Sequence, residues 1–297
     1  MAEFTVLIPL DGSKASELPI AFIAALKPLE NLRVRLLSVC ATADNEEELL
    51  KASEAYIDEV CRRTEAQYGM PVDGVCRTGE PQVEVLEEAR RPDVNLLLMS
   101  THGRTLSEDP ERIGGVADKV IRGAPCPVLV VGPHASVPLQ IEAITVPLDG
   151  SALAAEALPA VKRLAERLGA RIRLVQVIAA PASQDADAIG SLAADVVESQ
   201  ALTASLYLSE AKLELETTQL VETEVLYGLP GPALVEDLRE NPPNLVIMTS
   251  HGRTGFVRWT LGSVTGRLIR SNVPVLVLQP LKEVGDRLKP LAVAREA

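Results

Sequence analysis

The residues that suggest binding chemistry most clearly, by type and by spacing, are glycines and a small hydroxyl residue near the end of the chain. Gly252 is followed, after nine intervening residues, by Gly262 and Ser263. Glycine and serine at the start of a helix leave backbone N–H groups open to an anion, which the helix dipole also attracts. Arg253 and Arg258 add positive charge within a chain whose formal net charge is −12. This combination suits the phosphates of a nucleotide.

The segments around these residues occur twice in the chain. The sequence PLDGS occupies residues 9–13 and 147–151, and MSTHGRT at 99–105 has the counterpart MTSHGRT at 248–254. An internal repeat of this kind decides the architecture before any local propensity does. Each repeat has about 140 residues, the size of one ordinary domain.

We therefore expect two like domains, a first repeat at residues 1–134 and a second repeat at residues 139–282. Apolar runs alternate with helical patterns in both, which predicts an α/β fold in which each repeat is a five-stranded parallel sheet with helices on both faces. The short linker contains proline and glycine and indicates a touching pair. The predicted strands are 4–9, 33–39, 72–77, 94–99 and 128–131 in the first repeat and 143–147, 171–178, 220–227, 244–249 and 274–278 in the second.

Apolar spacing predicts a helix from about residue 16 of the first repeat. The acidic stretch at residues 45–48 suits the first turn of a helix and predicts a long one that runs to about residue 68. The offset between equivalent residues of the two repeats is 138 up to residue 177 and 149 from residue 228 onward. The second repeat thus has 11 additional residues, which correspond to about three helical turns. We expect them to lengthen its long helix.

Composition argues against several classes of function. The net charge of −12 disfavours recognition of a phosphate backbone, so no nucleic acid is expected. No apolar run approaches the roughly 20 residues that span a bilayer, and the N-terminus lacks the basic region of a secretory signal. We therefore expect a cytoplasmic protein with no membrane partner. The spacing of the four cysteines indicates neither a zinc site nor a disulfide framework.

Two segments of each repeat are expected to meet in one place. Ligands of open α/β sheets bind beyond the carboxyl ends of the strands. The loop after the first strand, which holds Asp149 in the second repeat, and the glycine-bearing loop after the fourth strand both lie there. A simpler interpretation is that Asp11 and Asp149 only stabilise a turn, because Asp-Gly-Ser is favourable turn chemistry.

Simpler interpretations also exist for the other candidates. His102 and His251 each stand alone, with no nucleophile, base and acid at sensible spacing, and fit hydrogen-bonded loop residues better than catalytic ones. Gly262 and Ser263 could have a purely structural role, in which they end a loop and begin a helix.

The loop segments and the terminal strand carry a family resemblance. Residues 250–255 (SHGRTG) and 261–264 (LGSV), followed by an apolar strand after 272–274 (NVP), resemble the universal stress protein family. The resemblance covers both repeats over nearly the whole chain, as in a tandem member. It implies the adenine nucleotide alpha hydrolase-like fold, with the last strands of the two repeats pairing as an internal pseudo-dimer.

The resemblance also implies a cofactor, ATP, bound mainly by the second repeat, and Mg²⁺ could accompany its phosphates. ATP-binding members of the family have a pattern of Gly, two residues, Gly, nine residues, and Gly followed by Ser or Thr. The implied contacts are Pro147, Asp149 and Val177 around the adenosine, Met248, Thr249, Gly252 and Arg253 along the phosphate approach, and Gly262, Ser263 and Val264 at the phosphates.

Both repeats depart from the family pattern. Thr249 replaces the first glycine in the second repeat, which would cost about 1–2 kcal/mol if the backbone there needed a positive φ. In the first repeat Ser100 takes that place, and ten residues separate Gly103 from Gly114 with no hydroxyl residue following. The loop 107–111 also carries three carboxylates, which are electrostatically adverse to a triphosphate. We expect the nucleotide site of the first repeat to be degenerate.

The function that the sequence predicts is a tandem universal stress protein that binds ATP and acts as a nucleotide-dependent regulator in the stress response. No enzyme activity beyond slow ATP hydrolysis is expected, because no general base is evident beside the loop. The alternative is a stress-related interaction scaffold that binds no nucleotide. Under either function, two chains could associate as a homodimer. A ligase or dehydrogenase is disfavoured because no G-x-G-x-x-G or P-loop lysine motif is present.

Overall fold

Ten β-strands form one continuous sheet in the computed structural model of this chain. Their spatial order is β3-β2-β1-β4-β5-β10-β9-β6-β7-β8, so each repeat contributes five neighbouring strands. Neighbouring strands within each repeat run parallel to each other, as the alternation of strands and helices predicts. The predicted fold class is thereby confirmed. The structure describes residues 3–41, 46–104, 113–179, 189–250, 261–271, 273–279 and 287–288.

The strands lie within one residue of their predicted bounds. The apolar runs of the inner strands are buried on both faces, which is typical of parallel sheets covered by helices, whereas the edge strands β3 and β8 are mostly half-buried or exposed. The strands are β1 Phe4–Leu10, β2 Leu32–Cys40, β3 Val72–Thr78, β4 Val94–Ser100, β5 Val128–Val131, β6 Ala143–Pro147, β7 Arg171–Ile178, β8 Val221–Tyr227, β9 Leu245–Thr249 and β10 Val275–Leu278.

The helices fill the connections between strands. The single helix predicted from about residue 16 is wrong: it is broken into two short α-helices and a 3₁₀ turn over Leu18–Phe22. Pro19 lies in that turn, and a proline has no N–H for a helical hydrogen bond. The α-helices are α1 Lys14–Glu17, α2 Ile23–Leu26, α3 Glu46–Tyr68, α4 Pro81–Ala89, α5 Gly115–Gly123, α6 Ala152–Ala155, α7 Leu158–Leu168, α8 Ile189–Leu215, α9 Pro230–Glu240 and α10 Ser263–Ile269.

The long helix of the second repeat is longer than its counterpart, as predicted, but by less than three turns. Helix α8 has 27 residues and α3 has 23. Four of the 11 additional residues therefore lengthen the helix, and the others belong to the connections before and after it. Most of the connection before α8, at residues 180–188, lies outside the described residues.

The hydrophobic core lies on both faces of the sheet and crosses the boundary between the repeats. Alternate residues of a strand point to opposite faces, and β5 and β10 divide in this way. Leu129 and Leu276 belong to one core cluster, whereas Val130 and Val275 belong to the other. Among the described residues, no helix combines the length and the apolar character needed to cross a membrane.

The two repeats are joined by antiparallel pairing of their last strands. Val275 of β10 lies opposite Val130 of β5, and Val277 lies opposite Val128. Just beyond β10, the buried Gln279 donates a hydrogen bond of 2.6 Å to the carbonyl of Ile121 in the first repeat. The sheet is thus continuous across a boundary made of strand hydrogen bonds and apolar side chains.

A buried ion pair between a strand and a helix occurs in each repeat. In the first repeat, Arg35 of β2 contacts Glu88 of α4 at 3.3 Å. In the second, Arg173 of β7 binds both carboxylate oxygens of Asp237 in α9, at 2.7 and 2.6 Å. Hydrogen bonding to Asp237 raises the pKa of Arg173. These charges hold the helices to the sheet face.

We predict that Asp237→Ala lowers the free energy of unfolding by about 1.5–3 kcal/mol, because Arg173 loses its two hydrogen bonds to the buried carboxylate and keeps only the half-exposed Glu224, at 2.5 Å. The matched control is Glu222→Ala, which removes an exposed pair with Arg171 at 3.9 Å and should cost less than about 1 kcal/mol. Urea denaturation of both variants measures the difference. Equal losses would show that the buried pair contributes no more than a surface pair.

Candidate functional site

A cleft of about 640 Å³ opens at the carboxyl ends of the strands of the first repeat. This is the place where an open α/β sheet binds its ligands. The lining comes from the loop after β1, the end of β2, one side of α3, the loop after β4 and the start of α5. The lining residues include Asp11, Gly12, Ser38, Cys40, Ser53, Tyr56, Ser100, His102, Gly103, Arg104, Gly114 and Gly115.

The two loops at the cleft are held together by Asp11. One carboxylate oxygen accepts a hydrogen bond of 2.9 Å from the backbone N–H of Ser13, and the other accepts one of 2.6 Å from the backbone N–H of Arg104. A Cβ atom at Gly103 would collide with this carboxylate. Gly103 therefore provides the space, and Arg104 the backbone N–H, that the carboxylate of Asp11 requires.

Both aspartates accept the hydrogen bonds of an Asp-Gly-Ser turn, and in the second repeat a serine caps the helix that follows. Asp149 accepts hydrogen bonds from the N–H of Ser151 at 3.0 Å and from its hydroxyl at 2.6 Å. The Ser151 hydroxyl in turn accepts from the N–H of Ala154 in α6. Gly150 has φ of 82°, a left-handed conformation that favours glycine.

His102 is a loop residue whose ring is hydrogen-bonded through Nδ1, while its buried Nε2 has no hydrogen-bond partner among the described residues. Its Nδ1 lies 2.7 Å from the hydroxyl of Thr101, and its backbone N–H donates to the hydroxyl of Ser100. Burial, and then the nearby His134, lowers the pKa of His102, so the ring is neutral near pH 7. His251, the counterpart in the second repeat, lies outside the described residues.

Helix α5 begins at the floor of this cleft. Gly114 precedes its first turn, and a Cβ atom at Gly115 would meet no atom within 4 Å. Residues 114–117 line the cleft, so the first turn of α5 and the positive end of its helix dipole lie at the cleft. The acidic loop residues 108, 109 and 111, on which the predicted degeneracy of this repeat partly rests, lie outside the described residues.

The second repeat places most of its candidate residues at the equivalent strand ends. Gly262 has the same backbone conformation as Gly114, with φ and ψ of −55° and 145° against −59° and 146°. Gly252 and Arg253 lie outside the described residues. The others are Pro147 at the end of β6, Asp149 in the loop after it, Val177 in β7, Met248 and Thr249 at the end of β9, and Ser263 and Val264 in the first turn of α10.

The threonine in place of the first pattern glycine causes no backbone strain. Thr249 is the last residue of β9 and pairs in register with Leu278 of β10. It is absent from the residues with positive φ, which outside glycine are Asn31 and Glu216 in the described part of the chain. The cost that a left-handed threonine would carry therefore does not arise.

Gln176 Oε1 and the hydroxyl of Tyr207 are among the buried polar atoms of the described residues that have no hydrogen-bond partner. Gln176 occupies the position of Ser38, 138 residues earlier, which lines the first-repeat cleft and accepts a hydrogen bond from Ser53 at 2.8 Å. Helix α8 has Ala204 at the position of Ser53, so the glutamine lacks that partner.

Tyr207 corresponds to Tyr56 of the first-repeat cleft. Burial, and then the carboxylate of Asp149, raises the pKa of Tyr207. The pKa of Tyr56 is raised by burial, by its hydrogen bond to Glu17 and, more weakly, by the negative charge of Asp11. Each tyrosine is thus close to the aspartate of its own repeat. Sequence reasoning missed Tyr207 because the register of the long helix is not visible from the strand motifs. It missed Gln176 because the strand motif does not show that α8 has an alanine, and no hydrogen-bond partner, at the position facing it.

Comparison with protein-family models matches the universal stress protein family over residues 4–132 and again over residues 140–279. The chain belongs to the universal stress protein family. It is a tandem member, since each repeat matches separately.

Individual members of the family show how far the likeness extends. A universal stress protein of Methanocaldococcus jannaschii is 30% identical over 144 residues, which are 47% of this chain and 84% of that protein. One from Synechocystis is 27% identical over 196 residues, 65% of this chain and 60% of the relative. The crystal structure of a universal stress protein from Archaeoglobus fulgidus has a TM-score of 0.68 at 22% identity, covering 93% of this chain and 96% of its own. That structure supports the fold.

The contact between Asp11 and Arg104 leads to a pH-dependent prediction for this family member. Burial alone would raise the pKa of Asp11, but the hydrogen bonds from Ser13 and Arg104 outweigh it, and the pKa lies below 3.8. A group with a lowered folded pKa stabilises the protein above its unfolded pKa and loses that contribution as the pH falls through the folded value.

We therefore expect Asp11→Ala to lower the free energy of unfolding by about 1–2 kcal/mol at pH 7 and by less at pH 3. Urea denaturation at the two pH values measures this. Asp58→Ala, at an exposed position of α3, is the control and should show little effect at either pH. A loss for Asp11→Ala that is the same at both pH values would contradict the role of the ionised carboxylate.

Proposed function

We propose that the second repeat, residues 139–282, binds an adenine nucleotide, ATP, and that the chain is a cytoplasmic nucleotide-dependent regulator in the stress response. The observation that carries this proposal is the pair of unpartnered buried atoms Gln176 Oε1 and Tyr207 Oη. A buried polar group without a partner is costly. An amino group and a hydroxyl, as found on an adenine base and a ribose, would each satisfy one of them.

The start of α10 supplies the phosphate end of the proposed site. The N–H groups that follow Gly262, at Ser263 and Val264, have no intrahelical acceptor in the first turn. Gly262 keeps the chain close to the end of β9, because a Cβ atom there would lie 3.3 Å from the carbonyl of Ser250. Backbone N–H groups at this position suit phosphate oxygens, and Arg253 of the adjoining loop is proposed to add positive charge.

Binding without turnover is the chemistry that these residues support. ATP would bring its own Mg²⁺, and in the described part of the chain no cluster of His, Cys, Asp or Glu is arranged to hold a metal ion. Asp149 is engaged by Ser151 and is proposed to hold the loop rather than to activate water. Any hydrolysis of ATP is therefore expected to be slow.

A matched pair of glycine variants tests the position of the phosphate site. Gly262→Val should lower the affinity for ATP at least tenfold, because the valine crowds the first-turn N–H groups. Gly114→Val makes the same change at the equivalent position of the first repeat and should leave the affinity unchanged. Equilibrium dialysis with ATP and Mg²⁺ measures both, after circular dichroism has confirmed folding. Equal affinities of the two variants would contradict the proposed placement.

A second pair of variants tests the base contact. Gln176→Leu removes the amide at similar side-chain volume and should lower ATP affinity about tenfold, which corresponds to one hydrogen bond of about 1.4 kcal/mol. Ser38→Ala at the equivalent position of the first repeat should have no effect on ATP binding. If neither the unmodified chain nor any variant binds an adenine nucleotide, the interaction-scaffold function replaces this proposal.

A further inference from the structure

The outward face of helix α8 carries a stripe of exposed leucines. Leu202, Leu206 and Leu213 are 62%, 58% and 76% exposed. At 100° per residue the three lie within about 40° of one another around the helix axis. They point away from the buried side of α8, which joins the hydrophobic core through Leu208 and Ala211. Single exposed leucines are ordinary, but an aligned set is typical of an interaction surface.

Helix α3 provides an internal comparison for this stripe. Its buried residues Ile57 and Val60 correspond to Leu208 and Ala211, an offset of 151 residues. With the same offset, the stripe positions of α8 correspond to polar or small residues of α3: Lys51, Ala55 and Arg62. The first repeat thus shows that the fold itself does not need leucine at these positions.

Carboxylates border the leucine stripe on both sides. Glu198 and Glu210 lie about 60° from its centre, one on each side, and both are exposed. Their counterparts in α3 are paired, Glu47 with Lys51 at 2.6 Å and Glu59 with Arg62 at 2.5 Å.

In α8 leucines replace both of these cations. No ion pair within the described residues involves Glu198 or Glu210.

We propose that this face of α8 docks an amphipathic helix of a partner protein, with leucine-like side chains on the stripe and lysine or arginine beside them. The partner's cations would take the places that Lys51 and Arg62 hold in the first repeat. Apolar anchors flanked by complementary charges are how helices select one another. This proposal is independent of nucleotide binding.

A second copy of the chain and a membrane surface fit the same stripe less well. Two α8 helices packed face to face would bring like-charged borders together, because Glu198 and Glu210 have no cations of their own on the stripe. Anionic lipid would be repelled by the same carboxylates. Charge complementarity therefore favours a basic helix over either of these.

The test uses the full chain and two designed helical peptides, followed by fluorescence anisotropy of the labelled peptide. Both peptides carry leucines at positions i, i+4, i+7 and i+11, one with lysines and the other with glutamates beside them. The lysine peptide should bind at least tenfold more tightly than the glutamate peptide. No binding of either peptide, or equal binding of both, would overturn the proposal.

Variants of the leucine stripe distinguish specific binding to this surface from non-specific hydrophobic binding. Leu206→Gln with Leu213→Gln should weaken binding of the lysine peptide at least tenfold, and glutamine keeps the helix propensity. Leu139→Gln, at a 79% exposed leucine of the linker, is the matched control and should change nothing. Equal loss in stripe and control variants would contradict the assignment.

A charge-reversal variant tests the borders. Glu198→Lys with Glu210→Lys should invert the preference, so that the glutamate peptide binds more tightly than the lysine peptide. Unchanged preference would overturn the charge argument. Sedimentation of the unmodified chain is the last measurement: a monomer supports the proposal, and a dimer that Leu206→Gln dissociates would assign the stripe to a second copy instead.

Discussion

The antiparallel pairing of β5 with β10 is the constraint on which the rest of the structure depends. Within each repeat the strands are parallel, so all five end at the same edge of the sheet. Because β10 runs opposite to β5, the strands of the two repeats end at opposite edges of the shared sheet. The carboxyl ends of the strands of the two repeats therefore lie at opposite edges, and the N-termini of α5 and α10 lie each at the edge of its own repeat.

That separation allows the two repeats to differ without disturbing the fold. The shared frame consists of the buried strands, the Asp-Gly-Ser turns and one buried ion pair between strand and helix in each repeat. The long helices α3 and α8 differ on both of their faces. Toward the cleft, the Ser53 and Ser38 hydrogen bond gives way to Ala204 and Gln176. Toward the outside, charged pairs give way to leucines.

The strands were predictable from the sequence because buried parallel strands read as continuous apolar runs, such as Val128–Val131. The break at Pro19 was not predicted, because the apolar spacing continues through it. The partners of Arg173 and the surroundings of Gln176 depend on how helices lie across the sheet. That register is set by packing between distant segments, and the strand motifs, with offsets of 138 and 149, do not reveal the offset of 151 within the long helices.

The most direct test of the central claim, that nucleotide binding belongs to the second repeat, is the stoichiometry of ATP binding by the unmodified chain. Calorimetric titration of the purified protein with ATP and Mg²⁺ counts the sites. The fluorescence of Trp259, the single tryptophan, which lies between Gly252 and Gly262 in the sequence, is an independent readout. The account predicts one ATP per chain with a change in Trp259 emission. Two sites per chain, or no heat and no fluorescence change, would contradict it.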